Sequence, residues 1–242
     1  MSFERQISMP EIGADGQRRL RDAAVTVVGA GGLGCPALTY LACAGVGKIT
    51  VIDGDTVSQS NLNRQFLFGV CDLGKEKAKA ACEKLCAMYP DTDFLGVGER
   101  LTSDNIKALI KTPNIIADCT DNLETRLLLN KYALDEGLVI VEGGVCGFGG
   151  FVTSIDRSSA CLECLGFLHD AKNTDDGILG TTAGVIGSLM ANECIKIILS
   201  LEGALFNKIL SYDGQTSEFE ITETYIAENC TQNHDRAAAR LK

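Results

Sequence analysis

Histidine is scarce in this chain, with two in 242 residues, and cationic side chains are outnumbered, 22 Lys and Arg facing 32 Asp and Glu. A formal net charge of −10 repels nucleic acid and anionic membranes, so DNA or RNA binding is not expected, and any anionic ligand must meet a local cationic patch. No charged segment leads into an apolar run with a small-residue cleavage site, and no apolar run of the ~18 residues a membrane span needs stands out. A cytoplasmic protein without membrane contact is therefore expected. No internal repeat or low-complexity linker appears, so one domain over residues 1–242 is the expectation. The 11 cysteines are odd in number and scattered, which argues against a disulfide framework and leaves thiols or metal ligands.

What the chain has is apolar material and glycine. At 45% hydrophobic it can fill a core, and its 26 glycines, many of them clustered, mark backbone that is bent sharply or approached closely by a ligand. Residues 24–29 and 48–53 are β-branched runs that read as buried parallel strands, with a helix between them after the glycines. Further on, a Lys/Ala/Glu helix over 75–88, a strand over 94–98, a helix over 103–111 from Ser103, a strand over 114–118, a helix over 122–136 and strands over 138–142 and 151–155 continue the alternation. A polar crossover to about 180 leads into a helix over 183–201, and alternating strands near 207–212 and 217–224 follow. The expected fold is α/β and Rossmann-like: a mixed sheet, mostly parallel, with an antiparallel C-terminal extension and helices on both faces.

Gly29-Ala-Gly31-Gly32-Leu-Gly34 follows a strand and opens a helix, with Asp53 about 20 residues on. Glycines let backbone approach phosphates, the helix N-terminus offers free N–H groups, and Asp53 can bond a ribose hydroxyl. The stretch from Asp53 to Gln65 is too long for the usual strand-to-helix turn of ~2–6 residues and must lie over something. Arg64, and Lys77 in the next helix, can bring positive charge to phosphates, and Asn61 and Gln65 supply neutral hydrogen-bonding groups. A solvated loop with a surface arginine is the plainer alternative.

With GAGGLG at 29–34, D-x-D-x-V-x-x-S-N-L-N-R-Q at 53–65 and C-T-D-N at 119–122, the chain resembles the ThiF/MoeB/HesA family of ubiquitin-like-protein activating enzymes. Arg5-Gln6, Cys161-x-x-Cys164 and Gly184-Val-Ile-Gly-Ser-Leu also match, so the likeness spans nearly the whole chain. The resemblance implies ATP and Mg²⁺ handled by Asn61, Arg64, Gln65, Lys77, Asp121 and Asn122, and a homodimer in which Arg5 reaches the partner's phosphates. It implies adenylation of the Gly-Gly C-terminus of a small sulfur-carrier protein, for thiamine or molybdopterin-type sulfur transfer. It also divides the chain into a nucleotide-binding half, about 20–135, and a carrier-binding and zinc half, about 136–242.

The inventory suits that reaction. A peptide α-carboxyl of pKa ~3.5 is ionised at pH 7 and needs no general base, so the load falls on cations and on positioning. Asp121 either holds Mg²⁺ or caps the helix predicted from Asn122, and both roles can coexist. Gly143 to Gly150 either passes under an extended carrier tail or makes bulges and turns between two strands.

Cys161 and Cys164 have zinc-ligand spacing, but where the family usually has a second Cys-x-x-Cys this chain reads Cys230-Thr-Gln-Asn-His234. A structural zinc on Cys161, Cys164, Cys230 and His234 is chemically sound; the alternative is a degenerate site with His234 in an exposed tail. At the position where thioester- or persulfide-forming relatives carry cysteine stands Asn173, so activation is expected to end at the acyl-adenylate. No rhodanese-like extension follows residue 242, so a separate sulfur donor is expected. The competing readings are an NAD-dependent oxidoreductase, which leaves Asn61 to Gln65 and Lys77 without a task, an activator of a tRNA or small-molecule carboxylate, and a non-catalytic binding module.

Overall fold

The computed structural model describes residues 2–111, 115–166 and 177–235. Asn173 lies outside them. The strands are β1 (Ala24–Val28), β2 (Lys48–Ile52), β3 (Asp93–Val97), β4 (Ile115–Asp118), β5 (Val139–Cys146), β6 (Gly149–Ile155), β7 (Lys208–Asp213) and β8 (Glu218–Glu223). The helices are α1 (Glu4–Ile7), α2 (Gly13–Asp22), α3 (Gly34–Cys43), α4 (Lys77–Met88), α5 (Ile106–Leu109), α6 (Leu123–Glu136) and α7 (Gly180–Leu199).

All strands form one sheet in the order β3-β2-β1-β4-β5-β6-β7-β8. The first five are parallel, which needs helical crossovers, and the last three are antiparallel. This is the mixed α/β sheet expected from the sequence. Both faces are covered: β1 sends Val25 and Val27 to a core with Leu38, Leu41, Ala81 and Met190 from α3, α4 and α7, and Val28 to a core with Ile106, Leu129 and Leu134 from α5 and α6. Period-2 alternation of strand side chains produces that division. The chain runs outward from β1 to β2 and β3, then returns to β4 on β1's other side, and such a reversal opens a crevice at the carboxyl ends of β1 and β4.

Four expectations need correcting. The helix expected over 103–111 is a single turn, because Asn105 turns its side chain back on the Thr102 N–H at 2.8 Å and the Arg100 carbonyl at 2.9 Å, competing with helix formation. The strand expected over 138–142 continues to Cys146, so Gly143 and Gly144 are strand residues. The helices α1 and α2 carry no long apolar run and were not anticipated. Finally, α7 is, by length and composition, apolar enough to cross a membrane, with a mean hydropathy of 1.4 over its best window. Half of that window is buried, and the helix packs on α3, β5 and β6, with buried Glu193 accepting from the Leu205 N–H at 2.9 Å. It is a core helix of this fold.

The helices α3 and α7 run in the same direction. Gly32, just before α3, abuts Ala183; Leu33 and Pro36 abut Gly187; and Tyr40, Cys43 and Ala44 share a shallow cavity with Ser188, Ala191, Asn192 and Ile195. A Cβ on Gly187 would lie 2.3 Å from the Leu33 carbonyl oxygen, so only glycine permits the approach.

Candidate active site and metal centre

The glycine turn sits at the crevice. Gly29 has φ +95°, and a Cβ there would stand 2.6 Å from the Cys119 carbonyl oxygen; a Cβ on Gly34 would stand 2.0 Å from the Gly29 carbonyl oxygen. The loop after β1 therefore packs against the loop after β4 backbone to backbone, which brings Cys119 to Asn122 beside the turn. The helix α3 starts without a side-chain cap; the Cys35 N–H donates to the Gly31 carbonyl at 3.0 Å, Pro36 has no N–H, and Gly34 opens the helix against the Gly29 carbonyl. Asp53 closes the turn from the β2 side: Oδ2 accepts from the Ala30 N–H at 2.7 Å and Oδ1 from the Asp55 N–H at 2.8 Å. Burial pushes its carboxyl above the usual range, while those two N–H groups and Lys77 pull it down.

The polar stretch after Asp53 folds over the glycines. Asn61 anchors a short turn by accepting the Ser58 N–H at 3.0 Å. Arg64 is half-buried, donates to the Ser60 carbonyl at 2.9 Å and to Asn63 Oδ1 at 3.0 Å, and lays its alkyl chain along Gly32. Gln65 is buried, with Nε2 3.6 Å from where a Gly31 Cβ would be, and its buried Oε1 has no hydrogen-bond partner among the described residues. An unsatisfied buried acceptor next to an open glycine cradle suits a site that receives a polar ligand. The start of α7 closes this corner: a Cβ on Gly180 would stand 2.8 Å from the Asn63 carbonyl oxygen.

The stretch is held down at its far end by buried Asp72, which accepts from the Gly69 N–H at 2.9 Å, from Lys75 at 3.0 Å and from Lys84 on α4. Those bonds, Lys84 foremost, hold the Asp72 carboxyl far below the usual carboxylate range. Lys77, the first residue of α4, is 7% exposed and reaches Asp55 Oδ2 at 3.4 Å; Arg100 reaches Asp55 Oδ1 at 2.9 Å.

Asp121 is exposed, and it is not the helix cap: Asn122 is, accepting the Thr125 N–H at 2.9 Å. The expected cap thus moves by one residue, which leaves the Asp121 carboxylate for other work. Arg5 stands apart from all of these. Its helix is pinned by Gln6, which donates to Gln17 Oε1 at 2.7 Å and to the Ala44 carbonyl at 2.8 Å, at the C-terminal end of α3. The ten residues of α3, about 15 Å, separate that end from the glycine turn.

Three residues escaped the sequence reading. Arg126 of α6 donates from Nη2 to the Thr120 carbonyl and to the Gly143 carbonyl, both at 2.6 Å, and its Nη1 stands 3.6 Å from Glu142 Oε2. Asp118 and Glu142 are register partners across β4 and β5, and both are fully buried. Burial, then Asp118, pushes the Glu142 carboxyl well above its ordinary value. A charged residue inside an apolar strand, as in Val-Ile-Val-Glu142, was the available signal.

The glycines of β5 and β6 are largely used by the chain itself. A Cβ at Gly143 would strike Met190 Sδ at 2.3 Å, at Gly144 the Phe151 ring at 2.3 Å, and at Gly150 Ile186 at 2.4 Å, whereas at Gly147 nothing lies within 4 Å.

At the far end of β6, Cys161, Cys164, Cys230 and His234 bring their ligand atoms within 4.8 Å of one another. Sγ of Cys161 is 3.7 Å from Sγ of Cys164 and 3.6 Å from Sγ of Cys230; His234 Nε2 is 3.6 Å and 3.3 Å from the sulfurs of Cys164 and Cys230. A tetrahedron with metal–sulfur bonds of about 2.3 Å has S···S edges of about 3.8 Å. The set matches that figure, and it is far from a disulfide length of about 2.05 Å. The hydrogen bond from the Cys161 thiol, ahead of burial, pushes Cys164 down to about 4, while the same bond pushes Cys161 up and burial raises Cys230. Three sulfurs this close can all be thiolates only around a cation. Glu163 fastens the second ligand pair to the first, accepting from the Thr231 N–H at 2.8 Å and from Gln232 Nε2 at 2.9 Å.

With this geometry in view, the comparisons decide the family. The ThiF family profile matches residues 3–233. The chain belongs to the ThiF family. It is 36% identical over 225 residues to the SAMP-activating enzyme E1 of Haloferax volcanii, covering 90% of this chain and 83% of that protein. To the sulfur carrier protein ThiS adenylyltransferase of Escherichia coli it is 32% identical, covering 95% of this chain and 93% of that protein. It is 40% identical to the adenylyltransferase and sulfurtransferase MOCS3 of Anopheles gambiae, over 90% of this chain but only 51% of that longer protein. The fold is also that of Escherichia coli MccB, solved with ATP, at a TM-score of 0.81 and 20% identity over 92% of this chain and 70% of that one.

Proposed function

We propose that this protein uses ATP to adenylate the C-terminal glycine carboxylate of a small ubiquitin-like sulfur-carrier protein, releasing pyrophosphate. The observation that carries the reading is the three-way junction of Gly29–Gly34, Arg64–Gln65 and the Cys119–Asn122 loop at the reversal of strand order. Similarity to a protein named as a sulfur carrier protein ThiS adenylyltransferase, and to one named as a SAMP-activating enzyme, supports it.

In this reading the glycine turn and the N-terminus of α3 cradle the phosphates, with Gln65 beside Gly31 and Asn61 shaping the loop. Asp53, already anchored by two backbone N–H groups, faces the ribose. Arg64 and Lys77 neutralise charge as the carboxylate oxygen bonds to the α-phosphorus and the bond to the departing pyrophosphate breaks. Lys77 must exchange its present partner, Asp55, for the phosphates. Asp121 would hold Mg²⁺, which would supply further neutralisation, and Asn122 belongs to the nucleotide-binding set. Arg5, held at the distant end of α3, serves the site of a second copy, so the active form is a homodimer. Zn²⁺ on Cys161, Cys164, Cys230 and His234 is structural. Carrier docking belongs to about 136–242, nucleotide binding to about 20–135. The product is an acyl-adenylate for thiamine or molybdopterin-type sulfur transfer in the cytoplasm, with sulfur brought by a separate donor protein.

ATP–pyrophosphate exchange dependent on a carrier ending in Gly-Gly tests this. Arg64→Ala is expected to lower the exchange by about 100-fold or more. No exchange by the unaltered protein with any such carrier would refute the reading.

A further inference from the structure

Among the described residues, one side chain ties the two halves of the site together. Arg126 is 9% exposed, and its Nη2 spends two N–H groups on two carbonyls from different segments: Thr120, in the loop that carries Asp121, and Gly143, in the strand leading to the glycine-rich hairpin. Neither carbonyl can easily move alone. Thr120 is also gripped by Asp118 Oδ1, which accepts from its N–H at 2.9 Å and its hydroxyl at 2.6 Å. Gly143 is wedged between Val152 in register on β6 and Met190 on α7. The buried guanidinium is faced by buried Glu142, with Oε2 3.6 Å from Nη1, and Glu142 lies in register with buried Asp118 on β4. This is a costly arrangement for packing alone, since apolar side chains of similar volume do that at no electrostatic cost.

We propose that Arg126 is a positioning residue that couples the two substrates: a carrier tail laid along the β5–β6 glycines shifts Gly143, and the guanidinium passes the shift to Thr120 and so to Asp121. The inference rests on the adenylation reading. A planar fork with two donors on one nitrogen suits two carbonyls at a fixed angle, and the ammonium of lysine, a point charge on a flexible stem, does not reproduce it. Coupling of this kind is reciprocal, so nucleotide must tighten tail binding as much as the tail tightens nucleotide.

The experiment measures the affinity of Mg²⁺ with a non-hydrolysable ATP analogue by calorimetry, with and without a saturating synthetic peptide ending in Gly-Gly. The unaltered protein is expected to bind the analogue at least about fivefold more tightly with peptide present. Arg126→Lys should bring that ratio to within about twofold of one, whatever its effect on the affinity for the analogue alone. Glu142→Gln, which keeps the shape of the side chain and leaves both bonds from Arg126 to the carbonyls in place, should keep the ratio. A ratio retained by Arg126→Lys, or absent from the unaltered protein, overturns the proposal; failure of the unaltered protein to bind the analogue at all overturns the adenylation reading itself. Should Arg126→Lys not fold, hydrogen exchange on the unaltered protein decides: peptide alone must slow exchange at Thr120 to Asn122, and no change there overturns the coupling.

Discussion

Two kinds of residue set this site, those with no side chain and those whose charge is hidden. Gly29 belongs to the first kind, with a positive φ and a carbonyl where its Cβ would be. Gly29→Ala is expected to cost about 2–4 kcal/mol of stability, through backbone strain and overpacking together, measured by urea unfolding. Asp72 belongs to the second. Because its folded-state pKa is depressed, it adds stability that is fully present above its unfolded pKa of about 3.9 and is lost as pH falls below that value. Asp72→Asn should cost about 2 kcal/mol or more near neutral pH, by stranding Lys84 and Lys75, and should flatten the acid limb of the stability curve. An equal loss at pH 7 and pH 2 would contradict that account.

At the scale of elements, the set of Cys161, Cys164, Cys230 and His234 would work as a staple on binding a metal. It joins the turn after β6 to the 227–235 segment, which has no strand or helix of its own. One zinc per chain is expected by elemental analysis. Chelation should lower the melting temperature and open the 227–235 segment to protease, and His234→Ala should weaken metal binding by at least about tenfold. The parallel strands were legible because buried β-branched runs admit few other readings, and the glycine turn because its spacing dictates a strand before it and a helix after. What was not legible was long-range. Asn105 delays the start of its helix through side-chain bonds, α1 is defined by contacts with Gln17 and Ala44, and Asp118, Glu142 and Arg126 meet only once β4 and β5 are in register. The candidate set itself was largely assembled by motif, but its supporting bonds, such as Asp53 to Ala30, appear only in three dimensions.

For the whole molecule, the position of Arg5 makes a sharp demand. If each site borrows it from a second copy, mixing Arg5→Ala with Arg64→Ala chains gives hybrids with one site doubly altered and the other intact. Random reassortment should restore about one quarter of the unaltered exchange rate, since half the dimers are hybrids with one good site each. Light scattering should show a dimer, and absence of recovery on mixing two inactive variants would place Arg5 in its own chain's site and not in the partner's.

The length of α7 has a mechanical consequence. Its twenty residues make a rod of about 30 Å, resting at mid-span on Gly143 and Gly150 of the sheet through Met190 and Ile186, with its own Gly187 against Leu33 and Pro36, and touching Asn63 and Arg64 with its tip. A methyl group added under the middle of a stiff beam tilts its end. Gly150→Ala is therefore expected to be felt as weakened nucleotide affinity at a corner it does not touch, and those three positions are held to glycine by leverage as much as by local room.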